Sequence, residues 1–495
     1  MLINKIKHFL KQPWQLAAII VLVSFFSLTA WRIFNLSIVH DEALSLELFS
    51  YLPLLDIVDP LKTGDGNMMA NNHVLNTVLM KLGRSIFGYQ EYAVRLAAWL
   101  ATIIYLLSVY LISRLIANKK LALAFIILMC SNPFVLDFLA LARGYGLAVA
   151  LMLLSCYYLF SFKAQEAQAH KILLSFLAAA LAVLANFVMS YFFASLFVVW
   201  FIRLFSSYQR PIGLVASRLF LSSLPSVIVV YVFAWPQINY MASHGTQYLF
   251  FGGTAGLWLN TVASLISATL YHGNYNTGLN VLLALEVLLV LIIAIFWSLR
   301  LIKQARLSRP GHQMFFYAVI LLFTNALLVV INHSLTKALF PIDRAALWLL
   351  VLFYLMFASM MVSIWTETAD KKVVWFCAII VFLALTHLVG VMKPNRTYVW
   401  PYCQDAQRVY RTIIETINAP TKLVTSWELM PSFFFYFNKF DSKNLHYIIT
   451  DTNRKPQAGS DIYLLLSTDY DVIKRYQLNI VRDKSTDSIT YAVKP

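Results

Sequence analysis

The chain has 495 residues, of which 60% are hydrophobic and only 13% charged. A water-soluble globule of that length needs far more polar surface to cover its core, so that class is excluded. The formal charge of +16 sits largely in loops on one side of the apolar runs, which makes it a topology signal rather than a nucleic-acid footprint.

The apolar residues fall in blocks of about 20, each long enough to cross a bilayer as a helix. Eleven spans are predicted, near 14–34, 92–113, 116–132, 143–162, 172–188, 190–206, 213–234, 279–300, 314–332, 343–364 and 372–392. Lys5, Lys7 and Lys11 precede the first run as they would in a signal peptide. That run is too long for a signal-peptide core and no small-residue cleavage site follows it, so a retained span is expected. With the amino terminus inside, cytoplasmic segments carry Lys119, Lys120, Arg300, Lys303, Arg306, Arg309, Lys371 and Lys372 among others, opposed only by Glu166, Glu367 and Asp370. The first loop on the other side holds Asp41, Glu42, Glu47, Asp56, Asp59 and Asp65 against Lys62, Lys81 and Arg84. The positive-inside rule then predicts a cytoplasmic amino terminus and an external, periplasmic or equivalent, location for that loop and for the carboxy-terminal tail. The expected location is a bacterial inner (cell) membrane.

Two external loops, about 36–90 and 235–278, interrupt a transmembrane region over 1–392. Glu42–Leu54 and His73–Phe87 read as short amphipathic helices in the interface, and Leu257–Tyr271 as an interfacial or re-entrant helix. From Lys393 to Pro495 the composition becomes that of a soluble domain. Leu423–Thr425, Tyr447–Thr450 and Ile462–Leu466 read as strands and Gln404–Ile417 as a helix, giving a small external α/β domain. That domain is read as a lid or acceptor-binding module. Cys130, Cys156 and Cys377 lie in apolar spans and Cys403 is alone in the tail, so no disulfide framework is implied.

His40-Asp41-Glu42 directly follows the first span. Two adjacent carboxylates at a membrane surface are costly if partly desolvated, although acidic residues in a first helical turn are also ordinary caps. On the same predicted face come Asn71-Asn72-His73-Val74-Leu75-Asn76, Gly88 to Leu96 as GYQEYAVRL, Asn132-Pro133, Asp137, Ala142-Arg143-Gly144-Tyr145, His272, Lys337 and Phe340-Pro341-Ile342-Asp343-Arg344. Singly, Arg95 and Arg143 could be helix-end anchors and Asn-Pro a turn. Their shared face points to a site. Asp41, Glu42, Asp137 and the histidines could hold a hard divalent cation, but show no fixed ligand spacing, so no cofactor is assigned.

This order of motifs resembles the polytopic, lipid-dependent glycosyltransferases of the GT-C fold, in the protein-mannosyltransferase and aminoarabinose-transferase-like branch. The resemblance covers about 15–165 well and 330–365 partly, and reaches the tail only by size and position. One departure is His73-Val74-Leu75-Asn76, where family members often read His-Pro-Pro-Leu, which bears on donor specificity. The resemblance implies a sugar carried on a polyprenyl phosphate and transferred with inversion, on the external face, to a glycan, lipid or protein acceptor. It implies Asp41 as general base, with Glu42 or Asp137 orienting it or holding the acceptor. It further implies Arg143, Lys337, Arg344, His73 and His272 as donor-phosphate ligands. A secondary transporter or flippase, or a lipid-linked oligosaccharide ligase or polymerase, are the rival readings. Transporters usually place ionisable groups near the bilayer midplane, where this chain has chiefly Glu286.

Overall fold

The computed structural model describes residues 13–59, 72–163, 168–208, 211–243, 252–271, 277–449, 454–482 and 489–494. The chain is a helical membrane bundle with a small carboxy-terminal α/β unit docked on one end.

Among the described residues, eight helices are long and apolar enough to cross a membrane: Pro13–Asn35, Leu96–Ser113, Phe187–Ser206, Ile212–Phe233, Gly278–Lys303, Pro310–Thr336, Asp343–Thr368 and Lys371–Val391. Lys119–Cys130 and Pro133–Ala140 make a ninth if counted together, bent by 65°. The bend follows from sequence. Asn132 caps the second helix by accepting from the amides of Phe134 and Val135 at 3.0 and 3.1 Å, and Pro133 occupies its first turn, where a missing N–H costs nothing.

The two remaining expected spans are helices but fall short. Tyr145–Phe160 has 16 residues and Ala169–Ala185 has 17; at about 1.5 Å per residue neither fully crosses a hydrocarbon layer of about 30 Å. Asn186 ends the second of these in an extended conformation and accepts from the amide of Val188. Both short helices are packed on many sides, whereas Gly278–Lys303 and Lys371–Val391 stand at the periphery with mostly exposed apolar faces.

The α/β unit carries five strands, β1 Thr421–Thr425, β2 Leu445–Ile448, β3 Ile462–Leu465, β4 Asn479–Arg482 and β5 Thr490–Val493. Their order is β2-β1-β3-β5-β4, with β1 parallel to β2 and β3, and β5 antiparallel to β3 and β4. The helices Ala406–Thr416 and Met430–Phe440 pack beside it.

This unit shares a core with the bundle. Ile38, Ala43, Leu46, Met80, Val94 and Ala142 form one buried cluster with Tyr410, Phe433, Phe435, Tyr436 and Leu464. Apolar burial of this kind is worth about 25 cal/mol per Å², and polar pins fix its register. The Ile38 amide donates to the Tyr436 hydroxyl at 2.9 Å, Ser37 Oγ donates to the Gln404 carbonyl at 3.1 Å, and Lys439 pairs with Glu91.

Candidate active site

The His40–Phe49 helix begins where the first membrane helix ends, and its first turn carries Asp41 and Glu42. Successive helical residues point about 100° apart, so the two carboxylates enter different environments.

Asp41 faces two guanidinium groups. Its Oδ2 lies 3.1 Å from Arg143 Nη2 and 3.4 Å from Arg344 Nη2. The Arg143 Nη1 also donates to Ser45 Oγ at 2.7 Å and to the Asp41 carbonyl at 3.2 Å. The Arg344 guanidinium lies 5.1 Å from the centre of the Trp400 ring, and its side chain bonds Tyr145. Burial raises the Asp41 pKa, but Arg143 and then Arg344 outweigh it and hold the carboxyl below its usual range. Two guanidinium charges against one carboxylate leave an excess of one positive charge.

Arg143 is aimed by the turn that follows it. Gly144 has φ +73°, and a Cβ there would lie 2.1 Å from the Ala185 carbonyl and 3.0 Å from the His73 side chain. Only glycine fits this approach. His73 sits at the N-cap position of the Val74–Phe87 helix without a side-chain capping bond, its ring edge-on to Tyr145 with centroids 5.2 Å apart. Among the described residues neither of the two buried His73 ring nitrogens has a hydrogen-bond partner, an arrangement that marks a place for a ligand or water. Burial first, and then the positive field of Arg143, hold the ring neutral, with a pKa well below the ordinary value.

Glu42 turns the other way and is fully satisfied. It accepts from Arg95 Nε and Nη2 at 3.0 and 2.8 Å, from the Ala142 amide at 2.6 Å and from the Val39 amide at 3.2 Å. Arg95 spends its remaining donors on the carbonyls of Ile33, Leu36 and Ser37. The Glu42–Arg95 pair therefore ties the end of the first span to the turn that presents Arg143.

Asp137 makes its bonds elsewhere. It pairs with Arg32, accepts from the Tyr271 hydroxyl at 2.9 and 3.0 Å, and accepts from the Tyr398 amide at 2.7 Å. Arg32 also donates to the carbonyls of Lys393 at 3.0 Å and Arg396 at 3.1 Å. This network anchors the linker between bundle and α/β unit. Lys337 ends the Pro310–Thr336 helix in a left-handed conformation and is exposed, and among the described residues it forms no ion pair with Asp41. His272 lies outside the described residues.

Arg32, Ser45 and Trp400 are not among the residues that the sequence motifs mark, whereas Tyr145 is, as part of the Ala142-Arg143-Gly144-Tyr145 motif. Arg32 had a signal: a cation in the last turn of an apolar span, at the end the charge rule leaves poor in cations. Trp400 had none. Among the described residues, no group of three or more His, Cys, Asp and Glu side chains is gathered as a metal site.

Residues 74–235, about a third of the chain, match the family profile described as dolichyl-phosphate-mannose-protein mannosyltransferase. The resemblance is borne out: the chain is a membrane glycosyltransferase. The matched stretch carries His73's neighbours, Arg95, Asp137 and the Arg143-Gly144 turn. No curated protein matches the glycosyltransferase in sequence. Among solved structures it is similar to ArnT from Cupriavidus metallidurans bound to undecaprenyl phosphate, with 12% identity, a TM-score of 0.46, and coverage of 96% of this chain and 97% of that one. It is also similar to the oligosaccharyltransferase AglB from Archaeoglobus fulgidus in complex with an inhibitory peptide and a dolichol-phosphate, with 14% identity, a TM-score of 0.45, and coverage of 86% of this chain and 64% of that one.

Proposed function

We propose that this glycosyltransferase moves a sugar from a polyprenyl-phosphate donor to an acceptor hydroxyl on the non-cytoplasmic face of the membrane, inverting the anomeric carbon. The observation that carries the reading is the convergence of Arg143 and Arg344 on the single Oδ2 atom of Asp41. Two cations on one anionic oxygen, with net positive charge left over, make a seat for a phosphate. The His73 nitrogens, without a partner among the described residues, offer a further hydrogen bond to the same group.

The chemistry then follows from these residues. The acceptor hydroxyl gives its proton to the Asp41 carboxylate as its oxygen bonds to the anomeric carbon. On the opposite face the bond from that carbon to the phosphate oxygen breaks, and the lipid phosphate leaves with the electron pair. Arg143 and Arg344 stabilise the charge that grows on it. In the free protein the arginines hold Asp41 at low proton affinity. A donor phosphate shares those arginines, so its arrival raises the basicity of Asp41 when a base is needed. Glu42 and Arg95 position the turn. The match over residues 74–235 supports the lipid-phosphate sugar class. The bacterial inner membrane is the location that fits the charge pattern.

Glu286 does not favour the transporter reading, because it is exposed on the peripheral Thr277–Lys303 helix rather than lining a central path. The test is transfer from a polyprenyl-phosphate sugar by purified full-length protein. It is paired with mass spectrometry of surface glycans and glycolipids with and without the gene. Unchanged surface glycans on deletion, with counterflow uptake into proteoliposomes, would overturn the reading.

A further inference from the structure

The Asp41 cluster is roofed by two segments of the carboxy-terminal region that no motif in the sequence marks. The first is the turn Trp400–Gln404. It is held at one end by Trp400 against Arg344, 5.1 Å from guanidinium to ring centre, and at the other by the Gln404 carbonyl, which accepts from Ser37 Oγ at 3.1 Å. Tyr402 lies between these two pins. The ring is half-buried against the bundle core, and its hydroxyl has no hydrogen-bond partner among the described residues.

The second segment is the turn Ser426–Glu428, which leaves the carboxyl end of β1. The Ser426 amide donates to the Leu464 carbonyl at 2.8 Å, and its hydroxyl accepts from the Leu466 amide at 2.9 Å. Carboxyl ends of parallel strands are where open α/β sheets hold ligands, and β1 is parallel to both its neighbours. This turn reaches the catalytic helix directly. His40 Nδ1 lies 2.8 Å from the Glu428 carbonyl oxygen, and the His40 and Trp427 rings are 4.9 Å apart. The Arg454 guanidinium lies 4.3 Å from the Trp427 ring centre. The backbone of Glu428 is thus clamped beside the residue that precedes Asp41. Its carboxylate, on a half-buried residue, has no hydrogen-bond or ion-pair partner among the described residues.

We propose that Tyr402 and Glu428 form the acceptor subsite, and that Glu428 selects an acceptor whose group beside the reacting hydroxyl is neutral or cationic rather than phosphate-bearing. This rests on the glycosyltransfer reading above. The two sides of the site carry opposite surplus charge. Arg143 and Arg344 outnumber Asp41 on the donor side, whereas on the other the Glu428 carboxylate has no ion-pair partner among the described residues. An anionic acceptor would meet like charge at Glu428, while a hydroxyl or ammonium group would satisfy both Glu428 and the Tyr402 oxygen. The carboxy-terminal unit therefore does more than cover the site: it supplies the chemistry that tells acceptor from donor.

The experiment uses the full chain in two assays: undecaprenyl phosphate binding to purified protein, and surface products in cells lacking the native gene. Glu428→Gln and Tyr402→Phe should bind undecaprenyl phosphate within about twofold of the parent, while product falls roughly ten- to a hundredfold for Glu428→Gln, as for loss of a charge-assisted hydrogen bond. Glu428→Asp, which keeps the charge, should recover part of the product, and Glu428→Lys should abolish it at an unchanged melting temperature. Parent-level product from well-folded Glu428→Lys would overturn the proposal. So would loss of undecaprenyl phosphate binding in step with product in Glu428→Gln, or a parent product in which the sugar sits next to a phosphate. The underlying reading fails separately, whatever Glu428 shows, if undecaprenyl phosphate binding is absent or is indifferent to Arg143→Ala.

Discussion

Arg143 grips Asp41 at two points, its guanidinium lying 3.1 Å from the carboxylate Oδ2 and 3.2 Å from the backbone carbonyl of the same residue. The second contact does not depend on the Asp41 side chain. Arg143 therefore stays in place when the carboxylate is changed, and the two residues can be tested separately.

Asp41→Asn preserves shape and removes the carboxylate proposed as the base. It should fold and insert normally while turnover drops about 10²–10⁴-fold, the usual weight of a general base. Because the substitution also removes the anion that competes for Arg143 and Arg344, undecaprenyl phosphate should bind at least as tightly as to the parent. A capping role predicts the reverse, since Asn caps helices about as well as Asp. Near-normal turnover in a well-folded variant would move the base to another residue.

Arg143→Ala and Arg344→Ala should each weaken undecaprenyl phosphate binding about ten- to a hundredfold, the loss of one charge-assisted hydrogen bond of about 1.5–3 kcal/mol. Arg143→Lys should rescue only in part, because the planar fork that meets both Ser45 and Asp41 is gone. Lys337→Ala, at an exposed position, should leave binding within about twofold. Isothermal titration with the lipid phosphate separates these outcomes; a large loss at Lys337 would bring it back into the donor site.

The Glu42–Arg95 pair has both side chains at 0% exposure. Removing one partner of such a pair strands a buried charge at a cost of about 3–5 kcal/mol. Arg95→Ala should accordingly lower the melting temperature sharply. Undiminished thermal stability of Arg95→Ala would contradict the positioning role.

Acid should destabilise the site through its histidines. Burial depresses the pKa of His73 strongly and that of His40 as well, so near pH 6 the unfolded chain binds protons that the folded chain refuses. Stability is then fully present above the unfolded value of about 6.5 and is lost as pH falls below it. The Asp41 term runs the same way but only below its unfolded value of about 3.9, outside this window. Melting temperature measured from pH 7.5 to 5.5 should fall in the parent and fall less in His73→Gln. Equal slopes would show that His73 is not the titrating group.

Orientation can be read by thiol labelling. Ser243→Cys and Thr412→Cys should react with an impermeant reagent from outside intact cells, and Gln304→Cys only after the inner face is opened. Labelling of Thr412→Cys solely after opening would reverse the topology and put the Asp41 cluster on the cytoplasmic side.

The positions of the helices were legible in the chain because hydropathy is a local property: about 20 apolar residues in a row have few fates besides a span. The same holds for β1, β2 and β3 of the α/β unit, though not for β4 and β5, four-residue strands that no apolar run in the chain marks, and for the end of the bundle at which charged motifs gather. Their pairing was not legible. Asp41 meets an arginine 102 residues away and another 303 residues away, and nothing local encodes either distance. Nor did the chain disclose that Asp137 would anchor a linker through Arg32, or that the turn after β1 would reach His40. Asp41 and Glu42 make the division plain. Sequence put them side by side after the first span, and the helix turned them about 100° apart. Tertiary packing then decided what each would face: for one, two arginines with charge to spare; for the other, Arg95 and two backbone amides that leave it nothing further to bind.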